Sequence, residues 1–211
     1  MIWQAAVGAL LGAALGYGVG RLAPRWMEGQ LRPGALYGAA VVNGVLTGLL
    51  AWGHGLDRYF WTQMPFFALL MLASLVDLHD RIIPNEVVVA GLALGTLLIF
   101  LAPYADRSWK LALGGAALSF GLLLLLALLV PGGMGLGDVK LAAVIGLFLG
   151  LKWVGMGLIF AFVAGGLISG VLLLTRRVGR KAYIPFGPFL ALGSVVAALY
   201  GPQIWAWYTG L

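Results

Sequence analysis

The chain has 211 residues, of which 62% are apolar and only 9% charged, with no cysteine, and its mean hydropathy is +1.02. Soluble domains carry about 25% charged residues, so this chain cannot cover a water-facing surface and reads as a polytopic, all-α membrane protein. Eight spans of about 20 residues would take ~160 positions and leave no room for a soluble domain. We therefore expect one integral membrane domain over residues 1–211. The net charge of +6 is assigned to the excess of basic residues that sets membrane orientation rather than to nucleic-acid binding. The absence of cysteine excludes disulfides, thiolate metal sites and cysteine nucleophiles.

Apolar stretches bounded by charges, Pro and Gly predict spans near 2–20, 35–53, 61–78, 85–103, 110–130, 139–151, 153–174 and 183–200. The first lacks a basic region ahead of it, which favours a span over a cleaved signal. Strands are not expected, because an open sheet edge in lipid strands its backbone polar groups. Alternating the loops places Arg21, Arg25, Arg32, Arg81, Lys140, Arg176, Arg177, Arg180 and Lys181 on one side. Arg58, Arg107, Lys110 and Lys152 fall on the other. The richer side is expected to be cytoplasmic and both termini outside. Trp52, Tyr59, Trp61, Tyr104, Trp109, Trp153, Trp205 and Trp207 then mark the outer interface, and Trp26 and Tyr183 the inner one.

Glycines four apart lie on one helix face. Gly8, Gly12, Gly16 and Gly20, then Gly91 and Gly95, then Gly146 and Gly150 predict seams of close helix packing. Asn43 and Thr47 are expected to add an interhelical hydrogen bond. The sixth span is a puzzle, since its 13 residues rise only ~20 Å against a hydrocarbon core of ~30 Å. The simplest resolution starts that helix below the cytoplasmic surface, with Pro131–Asp138 dipping into a wet, Gly-lined cavity.

Seven acids are available for chemistry. Glu28, Asp57 and Asp106 read as solvated loop charges, and Glu86 as a first-turn acid facing a helix dipole. Asp77 ends the third span. By position it is either an interfacial acid paired with Arg81 one turn on, or an acid facing the bundle interior. Asp80 lies further out and reads as solvated. Asp138 follows Gly132, Gly133, Gly135 and Gly137, and is either a helix N-cap or the end of a cleft that these glycines leave open to another backbone. Two acids at the inner edge of one membrane face form the minimal kit for aspartyl proteolysis. One takes a proton from water while the other donates to the scissile carbonyl, because neighbouring carboxylates do not both ionise cheaply. His54 and His79 fall on opposite sides, no serine elbow appears, and the spacing Asp77-x-His79-Asp80 is not diagnostic of a metal.

At these residues the chain resembles the type IV prepilin peptidases, a family of GxGD-type intramembrane aspartyl proteases. Three segments carry the resemblance: DLHDRIIPN over 77–85, with Pro-Asn seven residues after Asp77; GMGLGDVKL over 133–141, containing GxGD and a trailing Lys; and IPFGPFL over 184–190. The resemblance implies that Asp77 and Asp138 are catalytic and that Gly135, Gly137 and Lys140 shape or flank the cleft. It also implies substrate contacts from Pro84 and Asn85 and from Pro185, Phe186, Gly187 and Pro188. The implied substrate is a type IV prepilin or pseudopilin whose short basic leader, ending in Gly, precedes an apolar helix in the bilayer. Many members carry a cytoplasmic insert between spans one and two whose paired cysteines bind zinc, tied to N-methylation of the trimmed product. Here that connection is Arg21–Gly34, fourteen residues without cysteine. The expectation is a peptidase alone, with no metal and no cofactor such as S-adenosylmethionine. The competing class is a small ion- or solute-transporting protein, since Gly-broken spans and an intramembrane acid also mark ion sites. No self-similarity between residues 1–105 and 106–211 supports it.

Overall fold

The computed structural model describes residues 1–101, 108–130, 132–176 and 184–210. Asp106, Arg107, Pro131, Arg177, Arg180 and Lys181, with Tyr104 and Tyr183, entered the loop, orientation and cavity readings and lie outside the described residues. Among the described residues all regular structure is helical. In chain order it runs α1 (Ile2–Leu22), a 3₁₀ turn (Ala23–Trp26), α2 (Pro33–His54), α3 (Arg58–Asp80), α4 (Asn85–Leu101), α5 (Trp109–Leu129), α6 (Leu136–Leu174) and α7 (Gly187–Thr209). Six of these helices are long and apolar enough to cross a membrane, and α4 is a shorter apolar helix. Large apolar side chains such as Phe100, Leu128, Leu167 and Leu174 cover the outside, a surface that only lipid solvates cheaply.

The helix starts follow from local chemistry. The Asp57 carboxylate accepts the Phe60 N–H at 2.9 Å and opens α3, and Ser108 accepts the Leu111 N–H at 3.3 Å and opens α5. Pro33 opens α2 at a position where its missing N–H costs nothing. The predicted glycine seams are present. Gly8, Gly12, Gly16 and Gly20 are buried where α2 crosses, and a Cβ on any of them would strike Ala51, Thr47, Ala39 or Leu36. Thr47 Oγ1 donates to the Gly8 carbonyl at 2.9 Å and Asn43 Nδ2 to the Gly12 carbonyl at 2.8 Å, the expected interhelical bonds.

The sixth and seventh spans form the two arms of α6, which is broken at Gly150, whose φ of 72° and ψ of 173° are not helical. Only glycine adopts this backbone cheaply. The chain reverses there. In the first arm, 136–149, Val144 and then Leu147 and Phe148 pack on Gly91 and Gly95 of α4, in parallel order. In the second arm, 151–174, Trp153 meets Gly201 near the end of α7, while Gly165 meets Phe186 at its start. The reversal thus falls at Gly150, just before the Lys152-Trp153 pair where the sequence places the interruption. It yields an arm of ~20 Å followed by one of ~36 Å instead of a single rod of ~58 Å. The last helix also departs from expectation. It starts at Gly187 rather than 183 and continues to Thr209, because Trp205, Trp207 and Tyr208 extend it with rings suited to the membrane interface.

Candidate active site

The site forms where three helix ends meet. Asp77 lies in the last turn of α3, and its carbonyl accepts the Arg81 N–H at 2.9 Å. Arg81 adopts the left-handed conformation, φ 58° and ψ 34°, which for a residue with a side chain costs about 1–3 kcal/mol. That turn ends α3 one turn after Asp77 and sends Ile82 and Ile83 back across the mouth of the site. Pro84 then disfavours a helical conformation for Ile83, so α4 begins afresh at Asn85.

Asp138 is the third residue of α6, whose N-cap is Gly135. The N-cap reading of Asp138 is therefore wrong: its carboxylate reaches back to the Gly135 backbone, as an acid in the first turn does in a capping box. Asp77 and Asp138 are 1% and 2% exposed. Both line one cavity of about 250 Å³, with Arg81, Ile82, Ile83, Gly135 and Gly137. The reading that pairs Asp77 with Arg81 is also overturned, since no ion pair joins them among the described residues. Asp77 Oδ2 instead accepts the Gly187 N–H at 2.8 Å, a donor left free because it opens α7. A Cβ at Gly187 would lie 2.7 Å from that same oxygen, so only glycine permits this contact. Asp138 Oδ1 is buried without a hydrogen-bond partner, as is Ser74 Oγ one turn before Asp77.

Of the glycines ahead of Asp138, only Gly132 uses a positive φ, 78°. Gly137 serves close approach, since a Cβ there would meet the Ile83 Cβ at 3.1 Å. Lys140 and Asn85 do not line the cavity. They join each other, Lys140 Nζ donating to Asn85 Oδ1 at 2.8 Å, and so brace the start of α4 against the first turns of α6. Pro84 is buried beside that brace. Phe186 packs on Phe162 and Phe189, with ring centroids 5.2 and 6.1 Å apart. Pro185, Phe186 and Pro188 thus flank the start of α7, and among the third motif's residues Gly187 alone is brought to an aspartate. Asp80 is tied down rather than freely solvated. Its carboxylate accepts the Glu28 N–H at 3.1 Å and pairs with His79 Nδ1 at 2.9 Å, outside the cavity. Sequence reasoning missed the cavity walls Arg81, Ile82 and Ile83. Their signal was their place between Asp77 and the helix-stopping Pro84.

Two buried carboxyl groups on one small cavity, only one of them ionised at a time, can divide a water molecule's protons between them. A family model for the type IV leader peptidase family matches residues 64–170, which contain both aspartates. Curated relatives include the prepilin leader peptidase/N-methyltransferase of Bacillus subtilis, 34% identical over 154 residues, covering 73% of this chain and 61% of the relative. The proteins of the same name from Pseudomonas putida and Pseudomonas aeruginosa are each 31% identical, covering 77% and 78% of this chain and 57% and 58% of theirs. The chain thus spans about three fifths of the length of these relatives. No solved structure matches it significantly. With half of its residues under the family model and both acids on one cavity, the chain belongs to the type IV leader peptidase family.

Proposed function

We propose that this protein is an aspartic endopeptidase that cuts the basic leader, after a glycine, from type IV prepilins or pseudopilins. The observation that carries the reading is the single cavity onto which Asp77 and Asp138 both face, with Asp138 Oδ1 buried and unpartnered. A water held between them gives a proton to one carboxylate and adds its oxygen to the scissile carbonyl carbon. The second carboxyl donates its proton to the carbonyl oxygen. When the C–N bond breaks, the first passes its proton to the leaving amine and the second regains one from the diol. Each carboxyl group has one backbone N–H partner, Gly187 for Asp77 and Gly135 for Asp138; Asp138, whose other oxygen is buried with no partner, is the better suited to stay neutral and donate.

A substrate helix hides its carbonyls in i→i−4 bonds, and a glycine weakens it where a carbonyl must be exposed. The small cavity with Gly135 and Gly137 in its wall suits a residue without a side chain. We assign the site to the cytoplasmic face of the inner membrane, with both termini outside, from the bias of basic residues. We propose a peptidase alone, with methyl transfer either absent or carried out by another protein, since the 21–34 connection is short and has no cysteine.

The test is co-expression of the full chain with a pilin-like substrate and mass measurement of the product. Asp77→Asn and Asp138→Asn should each leave the substrate uncut while the protein still inserts. Retained cleavage in either variant rejects the pair.

A further inference from the structure

A second and larger cavity lies at the same end of the bundle, about 520 Å³ in volume, between the end of α1 and the start of α2. Its position relative to the aspartates is fixed by the connection between those helices. Ala23 and Met27 pack on Val76 of α3, and the Glu28 N–H reaches Asp80. Its polar wall is Arg21, Gln30, Tyr17 and Tyr37. No acid lines it, and no ion pair holds Arg21 among the described residues. Arg25 and Arg32 add positive charge to the same connection, against Glu28 within it and Asp80 held at the Glu28 N–H. A cavity so built takes an anion.

The surface below it says what kind of anion. Tyr17 lies one turn before Arg21 on the same face of α1, and Tyr37 faces it from α2 with ring centroids 6.4 Å apart. Continuing down α2 at four-residue steps, Tyr37, Val41 and Val45 are 61%, 62% and 55% exposed. Leu10 extends the matching stripe on α1. The anion site therefore opens onto a continuous apolar track, with tyrosines at the junction where amphipathic rings favour the membrane interface.

We propose that this cavity binds the phosphate of an anionic phospholipid, Arg21 pairing with the headgroup and the acyl chains lying along the Tyr37–Val41–Val45 stripe. A phosphate free in solution would use the cation and leave the track idle, so the lipid is the occupant. The site is independent of the peptidase reading.

Native mass spectrometry of the purified full chain, titrated with phosphatidylglycerol or with phosphatidylcholine of the same acyl chains, tests this. The wild-type chain should retain phosphatidylglycerol at about tenfold lower concentration than phosphatidylcholine, as one charge-assisted contact provides. Arg21→Gln should erase the preference and Arg21→Lys should keep most of it, while millimolar inorganic phosphate should displace nothing. Equal retention of the two lipids by the wild-type chain overturns the proposal, whether or not the variants fold. An undiminished preference in Arg21→Gln also overturns it, as does displacement by inorganic phosphate at lipid-like concentrations.

Discussion

The first arm of α6 uses glycine in two opposite ways within three turns. At Gly146 the absent side chain lets α5 approach so closely that a Cβ would overlap the Gly115 carbonyl and Ser119. Everything polar there is answered: Ser119 Oγ reaches the Gly115 carbonyl at 2.8 Å and the Ala142 carbonyl at 2.7 Å. At Gly137 the absent side chain admits the Ile83 turn, but the space beyond stays open and an oxygen of Asp138 stays unpartnered. Here the seam closes on itself, whereas the cavity end keeps a buried oxygen without a partner. Unsatisfied burial, rather than glycine content, separates the two regions.

Substitutions at the two ends of this arm should fail in different ways. On the proposed reading, Asp138→Asn preserves shape and removes the proton donor, so leader cleavage should fall by about 10³-fold or more while thermal stability in detergent is unchanged. A large loss of stability would place Asp138 with the structural residues. Gly187→Ala should come next, since its Cβ would push the Asp77 carboxylate aside. Misplacement of a catalytic group on that scale costs about 10²-fold in rate, measured as kcat on a synthetic leader substrate with KM little changed. Gly146→Ala should do the converse, destabilising the bundle by about 1–3 kcal/mol through overpacking. Its activity per folded molecule should stay near wild type; a specific rate loss would join the seam to the site. Asp80→Asn weakens one acceptor for the Glu28 N–H, worth about 1 kcal/mol of local order, and cleavage should change by no more than a few-fold. If Asp80→Asn alone were inactive, the first acid of the pair would be Asp80.

Much of this was legible in advance because helical periodicity and membrane thickness are severe constraints. The seams at Gly8–Gly20 and Gly91–Gly95 could be read from spacing, and the boundary between the sixth and seventh spans, at Lys152, from the charge that separates them. The resemblance to the family singled out the two aspartates and the third motif. The particular partners were not legible. Lys140 reads as flanking the cleft and Asn85 as a substrate contact, and neither reading foresees that they join each other. Gly187 read as part of a substrate-binding mouth and is the donor that holds Asp77. Arg81 read as a partner for Asp77, yet it forms part of the cavity wall and its left-handed backbone makes the turn.

What the chain by itself determined is one-dimensional: apolar spans, small-residue faces, acids at span ends and a basic excess on alternate loops, all set by the repeat of the α-helix and the cost of charge in lipid. Which ends come together belongs to the tertiary structure alone. The reversal at Gly150 lies at the far end of the first arm and turns the chain back, while the left-handed turn at Arg81, the start of α6 and the start of α7 at Gly187 meet around Asp77 and Asp138. Their spacing along the chain, 61 residues for the acids and 110 for Asp77 and Gly187, carries no local signal. Contacts across such separations are chosen by packing summed over every helix, and no single segment encodes that sum.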